Sequence, residues 1–217
     1  MKPTLKHERA LWRSGKVLVA GVDEAGRGAW AGPIVAGAVV FSRVEFEDLK
    51  KEWWFKNVAD SKILSPAQRE RVFEACSKKI VWAVGVVNNK TIDKIGIGEA
   101  NKRAVSLAVL NLKHQPQAVL VDYVAKLGAK VAGVPAKVVI NGDATVWVVA
   151  LASIVAKVQR DRMMVKYDKK YAGYGLAEHK GYGTAQHQRA LSKRGVCVLH
   201  RRSYRPVRAH LPLHLWR

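Results

Sequence analysis

The chain has 217 residues, with 38 Lys plus Arg against 17 Asp plus Glu, a formal charge of +21, and two cysteines. That length suits one α/β domain with a sizeable core, and that charge excludes indifference to polyanions, so nucleic acid is the natural partner. Two cysteines without metal-type spacing argue against a disulfide framework, and the longest apolar stretch, residues 146–155, is too short to span a bilayer, so a soluble cytoplasmic protein is expected.

Residues before Lys16 mix charge with few apolar positions and read as a short helix or arm. Residues 17–40, VLVAGVDEAGRGAWAGPIVAGAVV, are two valine-rich runs separated by a glycine-rich turn, which predicts strand, loop, strand. The first run delivers Asp23 and Glu24 into Gly26-Arg27-Gly28, and the second leaves after Gly32-Pro33. Side chains alternate along a strand, so the two acids converge on one point only if the strand ends or bends between them. The glycines permit such a bend and bring backbone N–H groups close to a ligand, with Arg27 beside them. A polar turn in which both acids cap backbone groups is the alternative.

Residues 44–55, charged and aromatic with Trp53 and Trp54, read as a surface connection or short helix. Ser65 can cap a helix with Pro66 at its first position, running through residues 67–78. Residues 80–87 read as a third strand. Residues 91–100 are turn-rich and lead to a helix over 99–112, with apolar Ala100, Ala104, Leu107, Ala108 and Leu110. Residues 118–122, AVLVD, form a strand that ends on Asp122, where α/β chemistry gathers; a lone turn acid is the alternative. A strand over 136–140 precedes Asn141-Gly142-Asp143 and a helix over 144–167, apolar on all sides from 146 to 156 and so buried. Asp143 stands where a helix N-cap would also stand. Residues 171–187, YAGYGLAEHKGYGTAQH, alternate glycine, tyrosine and basic residues and suit a nucleic-acid contact loop, followed by a helix over 184–194. Residues 157–217 hold fifteen basic and three acidic residues, which makes the C-terminal part the expected nucleic-acid-facing surface.

Asp23-Glu24-Ala25-Gly26-Arg27-Gly28 with Gly32-Pro33 resembles the opening motif of the type 2 ribonucleases H, the ribonuclease HII family. Similar segments follow in the family's order. They are Asp60-Ser61-Lys62-Ile63-Leu64, Ile95-Gly96-Ile97 before Ala100-Asn101, the run Ala152 to Lys157, Lys180-Gly181-Tyr182-Gly183-Thr184, and His200-Arg201-Arg202-Ser203-Tyr204. The resemblance covers nearly the whole chain. It implies an α/β ribonuclease H-like fold, a mixed central sheet flanked by helices with a small C-terminal helical extension. Residues 1–217 are then one catalytic domain, with 170–217 a basic substrate-contacting extension.

The resemblance further implies that Asp23, Glu24, Asp122 and Asp143 are the catalytic, metal-ligating acids. It implies substrate contacts by Gly26, Arg27, Gly28, Ser61, Lys62, Asn101, Lys157, Lys180 and Tyr182. The Gly-Arg-Gly backbone and Tyr182 would read the 2′-hydroxyl and the sugar beside the scissile junction. The implied activity is two-metal-ion hydrolysis of the RNA strand of RNA/DNA hybrids, and cutting 5′ to ribonucleotides in duplex DNA, with 3′-hydroxyl and 5′-phosphate ends. A monomer acting in ribonucleotide excision repair and replication follows from the same resemblance.

Four carboxylates crowded together repel, divalent cations reverse that penalty, and oxygen-only ligation favours Mg²⁺ or Mn²⁺ over zinc. Tyr123, where the family usually has glycine, and Trp147-Val148-Val149 depart from the family's pattern, and bulk near Asp122 is expected to shift loop geometry or narrow the site, bearing on turnover rate more than on reaction class. Two other readings compete: another nuclease of the ribonuclease H-like superfamily, and a basic nucleic-acid-binding protein without catalysis.

Overall fold

In the valine-rich runs the β-branched side chains favour extended backbone, and they pair as antiparallel strands β1 (Leu18–Ala25) and β2 (Ile34–Ser42). The computed structural model describes residues 2–59, 61–124 and 126–212; Asp60, of the segment expected before the second helix, and residues 213–217 of the basic C-terminal stretch lie outside these. β3 (Val81–Val87) pairs antiparallel with the far side of β2. β4 (Ala118–Asp122) lies parallel to β1. β5 (Lys130–Val131), which the sequence reading missed, and β6 (Val134–Val139) complete a mixed sheet of order β3-β2-β1-β4-β6-β5.

The helices are α1 (Lys6–Arg13), α2 (Arg43–Leu49), α3 (Pro66–Cys76), α4 (Asn89–Leu110), α5 (Gly142–Thr145), α6 (Trp147–Lys170), α7 (Leu176–His179), α8 (Ala185–Arg194) and α9 (Arg205–Arg208). α3 starts as expected, with Ser65 and Gln68 exchanging side-chain-to-backbone bonds of 3.2 and 2.8 Å. α4 starts ten residues before the expected helix. Asn88 caps it, and Gly96, at φ +77°, kinks it instead of delaying it. Its buried side carries Ala100, Ala104, Val105, Ala108 and Val109, while Leu110 is exposed. No helix among the described residues is long and apolar enough to cross a membrane, and both cysteines are free.

The sheet is covered on both faces, and strand periodicity decides which residues face which helix. Val19 and Leu120 pack with α6; Ala20, Val22, Val119 and Val121 pack with α4. Close approach needs glycine where α6 crosses the sheet: a Cβ on Gly37 would lie 2.5 Å from the Ala152 carbonyl oxygen and 2.7 Å from the Ala156 nitrogen. A third apolar cluster, with Met164, Tyr174, Leu176 and Leu199, ties the C-terminal helices to the end of α6 and to Ala31 after β1.

In the aromatic region the short helix expected within residues 44–55 is α2, but the stretch is not all surface, because Phe46 and Trp54 are buried and form one cluster with Phe41, Phe55 and Trp147. Trp147 stacks on Phe55 at 4.1 Å, so its bulk is absorbed here and does not narrow the site. The helix expected over 144–167 is broken at Val146, whose backbone is extended at φ −114° and ψ 120°. There the N-terminal arm docks, with Thr4 bonding to Thr145 and Trp147.

That docking carries α1 across the start of α6, where Glu8 Oε1 accepts the Val148 amide at 2.9 Å while Oε2 has no partner among the described residues. Burial pushes the Glu8 carboxyl up to about 7 from an ordinary 4.5. The unfolded chain therefore releases this proton first, and the group's contribution to stability is full below pH 4.5 and declines as pH rises to about 7. Glu8→Gln, which keeps an acceptor for Val148, is expected to unfold at higher urea than wild type at pH 8 and at nearly the same urea at pH 4.5. The gap should approach about 3 kcal/mol. A constant difference across that range would show that Glu8 is charged in the native state.

Candidate active site

Alternation along β1 sends Asp23 to the α6 face, with Val19, and Glu24 to the α4 face, with Ala20 and Val22. The strand neither ends nor bends between them, since Asp23 pairs with Gly37 and Glu24 with Ala36 in unbroken register. On β4 the same alternation places Asp122 on the α6 face, in line with Leu120. Asp143 does not cap α6. It sits in the separate turn α5, buried, with Lys62 Nζ 2.6 Å from its carboxylate. Asp23, Asp122 and Asp143 thus bring one carboxylate oxygen each within 4.8 Å of one another. Glu24 reaches the same cleft from the opposite face of the sheet, where the strands end. The cleft, of about 340 Å³, is lined by Asp23, Glu24 and Asp122, the Gly26-Arg27-Gly28 turn, Lys62, Tyr123, Lys157 and Tyr182.

Electrostatics fit this group for cations. Burial, then the charges of Glu24 and Asp122, raise the Asp23 carboxyl well above the usual carboxylate range, against a hydrogen bond from Ser153. Burial also raises Glu24, eased by Arg27 at 3.7 Å and by a hydrogen bond from Asn101. Glu24 Oε2 is buried without a hydrogen-bond partner among the described residues. Hard oxygen donors, crowded and under-satisfied, suit Mg²⁺ or Mn²⁺, and no Cys or His stands among them.

The turn beside the acids is held by two fully buried arginines. Arg201 donates to the carbonyls of Gly26 at 2.7 Å, Arg27 at 2.9 Å and Gly32 at 3.1 Å. Arg160 donates to Pro33 at 3.0 Å, Ala31 at 3.3 Å and Lys180 at 2.9 Å. Carbonyls that turn inward to guanidinium leave the turn's amides on its other side. Gly26, at φ +92°, could carry no side chain without striking the Arg160 guanidinium, while Gly28 has open space where a Cβ would stand.

A family model described as ribonuclease HII matches residues 20–207. The chain belongs to the ribonuclease HII family. The ribonuclease HII of Dehalococcoides mccartyi is 44% identical over 207 residues, spanning 95% of this chain and 94% of that protein. Ribonuclease H2 from Pyrococcus horikoshii superposes with a TM-score of 0.72 at 30% identity, over 88% of this chain and 96% of that one. The ribonuclease HII of Archaeoglobus fulgidus, solved in a complex with PCNA, gives 0.68 at 26% identity, over 84% and 91%. The fold is ribonuclease H-like, and membership makes the chain a metal-dependent hydrolase of the ribonuclease H type.

Against the contacts that the ribonuclease HII resemblance implied, the outcomes differ. Lys157 and Tyr182 flank the cleft together, with Lys157 Nζ 5.4 Å and the Arg160 guanidinium 5.2 Å from the tyrosine ring. Lys157 is also bonded to Asp161 at 2.8 Å. Asn101 lies on the buried stripe of α4 and bonds Glu24. Ser61 is buried with its Oγ 2.7 Å from Ser153 Oγ, and both line the cleft. Lys180 does not line the cleft. It closes α7 in a left-handed conformation and folds its ammonium back onto the Ala177 carbonyl, as the negative end of a helix favours. Tyr174, in the expected contact loop, is buried and donates to the Gly195 carbonyl at 3.0 Å.

The sequence reading missed Ser153, Arg160 and Arg201 as parts of the ribonuclease HII site. For the first two a signal was present: Ser153, Ala156, Arg160 and Met164 recur at three- and four-residue steps along the buried side of α6. A basic residue on such a stripe is buried and therefore bonded. Arg201 has no comparable periodic signal.

Proposed function

We propose that this ribonuclease H cuts the RNA strand of RNA/DNA hybrids, and cuts 5′ to single ribonucleotides in duplex DNA, leaving 3′-hydroxyl and 5′-phosphate ends. The observation that carries this reading is the convergence of Asp23, Asp122 and Asp143, with Glu24 alongside, next to a turn whose carbonyls are held inward by Arg201. These four acids would hold two Mg²⁺ or Mn²⁺ ions, which when bound supply the charge that activates a water and steadies the leaving oxygen. Ser153 and Asn101 orient Asp23 and Glu24, and Lys62 holds Asp143. Arg27, Lys62 and Lys157 face the phosphates. The amides of residues 26–28 and the Tyr182 ring read the 2′-hydroxyl and the junction sugar, because phosphate contacts alone cannot separate RNA from DNA.

The whole chain then acts as one catalytic unit, a cytoplasmic monomer that removes ribonucleotides during replication and repair, with residues 170–217 contributing the substrate-contacting surface. The test is a panel of a duplex with one embedded ribonucleotide, a uniform hybrid and plain DNA, each with Mg²⁺, Mn²⁺ or chelator. The first two are expected to be cut with either ion and spared with chelator. Cleavage of plain DNA would assign a different nuclease activity. Salt-sensitive binding without cleavage, indifferent to chelator, would favour a binding protein.

A further inference from the structure

Tyr182 is held from behind by imidazoles whose protons the hydrogen bonds fix one by one. His187 and His200 are buried, with their Nε2 atoms 3.0 Å apart, so one donates and the other accepts. His200 Nδ1 lies 3.0 Å from the Cys197 amide and 3.3 Å from the Cys197 carbonyl; the amide is the nearer and can only donate, which puts the ring proton on Nε2 and makes it the donor. His187 Nε2 is then the acceptor, and its proton sits on Nδ1, 3.0 Å from the Tyr182 carbonyl. A third ring repeats the arrangement on the preceding residue. His179 Nδ1 accepts the Gly181 amide at 3.1 Å, its Nε2 donates to the Tyr174 carbonyl at 2.8 Å, and its ring stacks on His187 at 4.3 Å. The Gly181 carbonyl in turn accepts the Trp30 amide at 2.8 Å, and the Trp30 carbonyl accepts the Arg201 amide at 2.8 Å. The tyrosine's backbone and the Gly26–Gly28 turn are therefore parts of one bonded frame.

We propose that the neutral His187–His200 pair is the positioning device of Tyr182, setting its ring against the junction sugar, and that a proton added to either imidazole releases it. The proposal rests on the reading of Tyr182 as the residue that senses that sugar. A further proton on His187 has no acceptor, since it would set two N–H groups against each other at 3.0 Å, and one on His200 Nδ1 would oppose the Cys197 amide at 3.0 Å on its way to the Cys197 carbonyl at 3.3 Å. The titratable groups facing the pair are His179 of α7, Tyr174, Cys197 and His210. Arg160 and Arg201 hold the adjoining loops, and Glu178 is exposed and bonded to Gln186. No carboxylate among the described residues is bonded to either ring, and burial pushes both down to about 4, so the pair is neutral at neutral pH.

The experiment measures junction preference, kcat/KM on the single-ribonucleotide duplex divided by kcat/KM on the uniform hybrid, from pH 8 to 4.5. Titration of the acids bears on both substrates and cancels in the ratio. Wild type is expected to keep its preference to about pH 5 and to begin losing it between pH 5 and 4.5, where the protonated fraction of groups near 4 starts to rise. His187→Ala should lose about tenfold of the preference already at pH 8, through KM on the junction substrate, as for one lost hydrogen bond. His187→Asn, which keeps an N–H at the Nδ1 position, should restore it, and His200→Gln should keep it without the acid loss. Long-range ¹H–¹⁵N spectra of wild type should show the Nδ1–H tautomer for His187 and Nε2–H for His200. Preference lost in Tyr182→Ala but kept in His187→Ala would overturn the proposal, as would an imidazolium signal from either ring at pH 6. Preference kept in Tyr182→Ala would instead overturn the reading of Tyr182. Should His187→Ala not fold, His200→Gln and the wild-type spectra decide: an acid loss retained in His200→Gln, or the opposite tautomers, overturns the proposal.

Discussion

Asp23→Asn and Asp143→Asn are each expected to fold as wild type does and to lower metal-dependent cleavage by about 10³-fold or more, at least about 4 kcal/mol of transition-state stabilisation. Each replacement keeps the shape of the side chain and removes one of three carboxylates within 4.8 Å of one another. The same crowding predicts a stability signature without substrate. Burial, then the charges of Glu24 and Asp122, raise the Asp23 carboxyl, so the unfolded chain gives up this proton first. Metal-free stability from this group therefore declines as pH rises from the ordinary carboxylate range through the raised value. In chelator at pH 8, Asp23→Asn should be more stable than wild type. Saturating Mg²⁺ or Mn²⁺ should raise the melting temperature of wild type and leave Asp23→Asn nearly unmoved, because an ion stabilises the folded state only where it finds ligands. Wild-type turnover in either variant would remove that residue from the ligand set.

Arg201→Met is expected to destabilise the fold by about 2–5 kcal/mol and to abolish discrimination between ribonucleotide and deoxyribonucleotide substrates. Two effects compete. Methionine no longer strips a guanidinium of water, and burial already holds the Arg201 pKa below its usual range. Against that, three backbone carbonyls, of Gly26, Arg27 and Gly32, lose a charged donor, and the Tyr204 hydroxyl loses a partner at 2.9 Å. Arg27 keeps the Tyr204 hydroxyl at 2.6 Å and Gly26 keeps a longer bond of 3.3 Å from Ala29, so the loss is partial at each and largest at Gly32. At about 1–3 kcal/mol for each buried group left short, the losses exceed the gain. Arg201→Lys should not rescue, because one ammonium cannot reach carbonyls that the planar fork spans. Urea unfolding and the substrate panel measure both effects; unchanged stability with unchanged discrimination would reduce Arg201 to a filler of space.

How far the sequence could be read varies with the range of the interaction. The strand pair around Asp23, the capping of α3 by Ser65 and Gln68, and the ending of β4 on Asp122 rest on patterns a few residues long, and all were legible. The break at Val146 was not, because Thr4 makes it from 142 positions away. The aromatic run around Trp54 looked like surface for the same reason: Trp147, its partner in burial, is distant in the chain.

The same division runs through the site. By itself the sequence determined the family, the inventory of acids and the excess of positive charge, since these depend on which residues are present and in what order. The tertiary structure alone decided that Asp23 and Glu24 approach the cleft from opposite faces of an unbroken strand, and that Asn101 serves Glu24 from inside the core. It also decided that Arg160, Arg201 and three imidazoles hold the two loops that border the cleft. Facing and burial are set by which elements pack together, and for residues as far apart as Gly26 and Arg201 no local pattern encodes that packing.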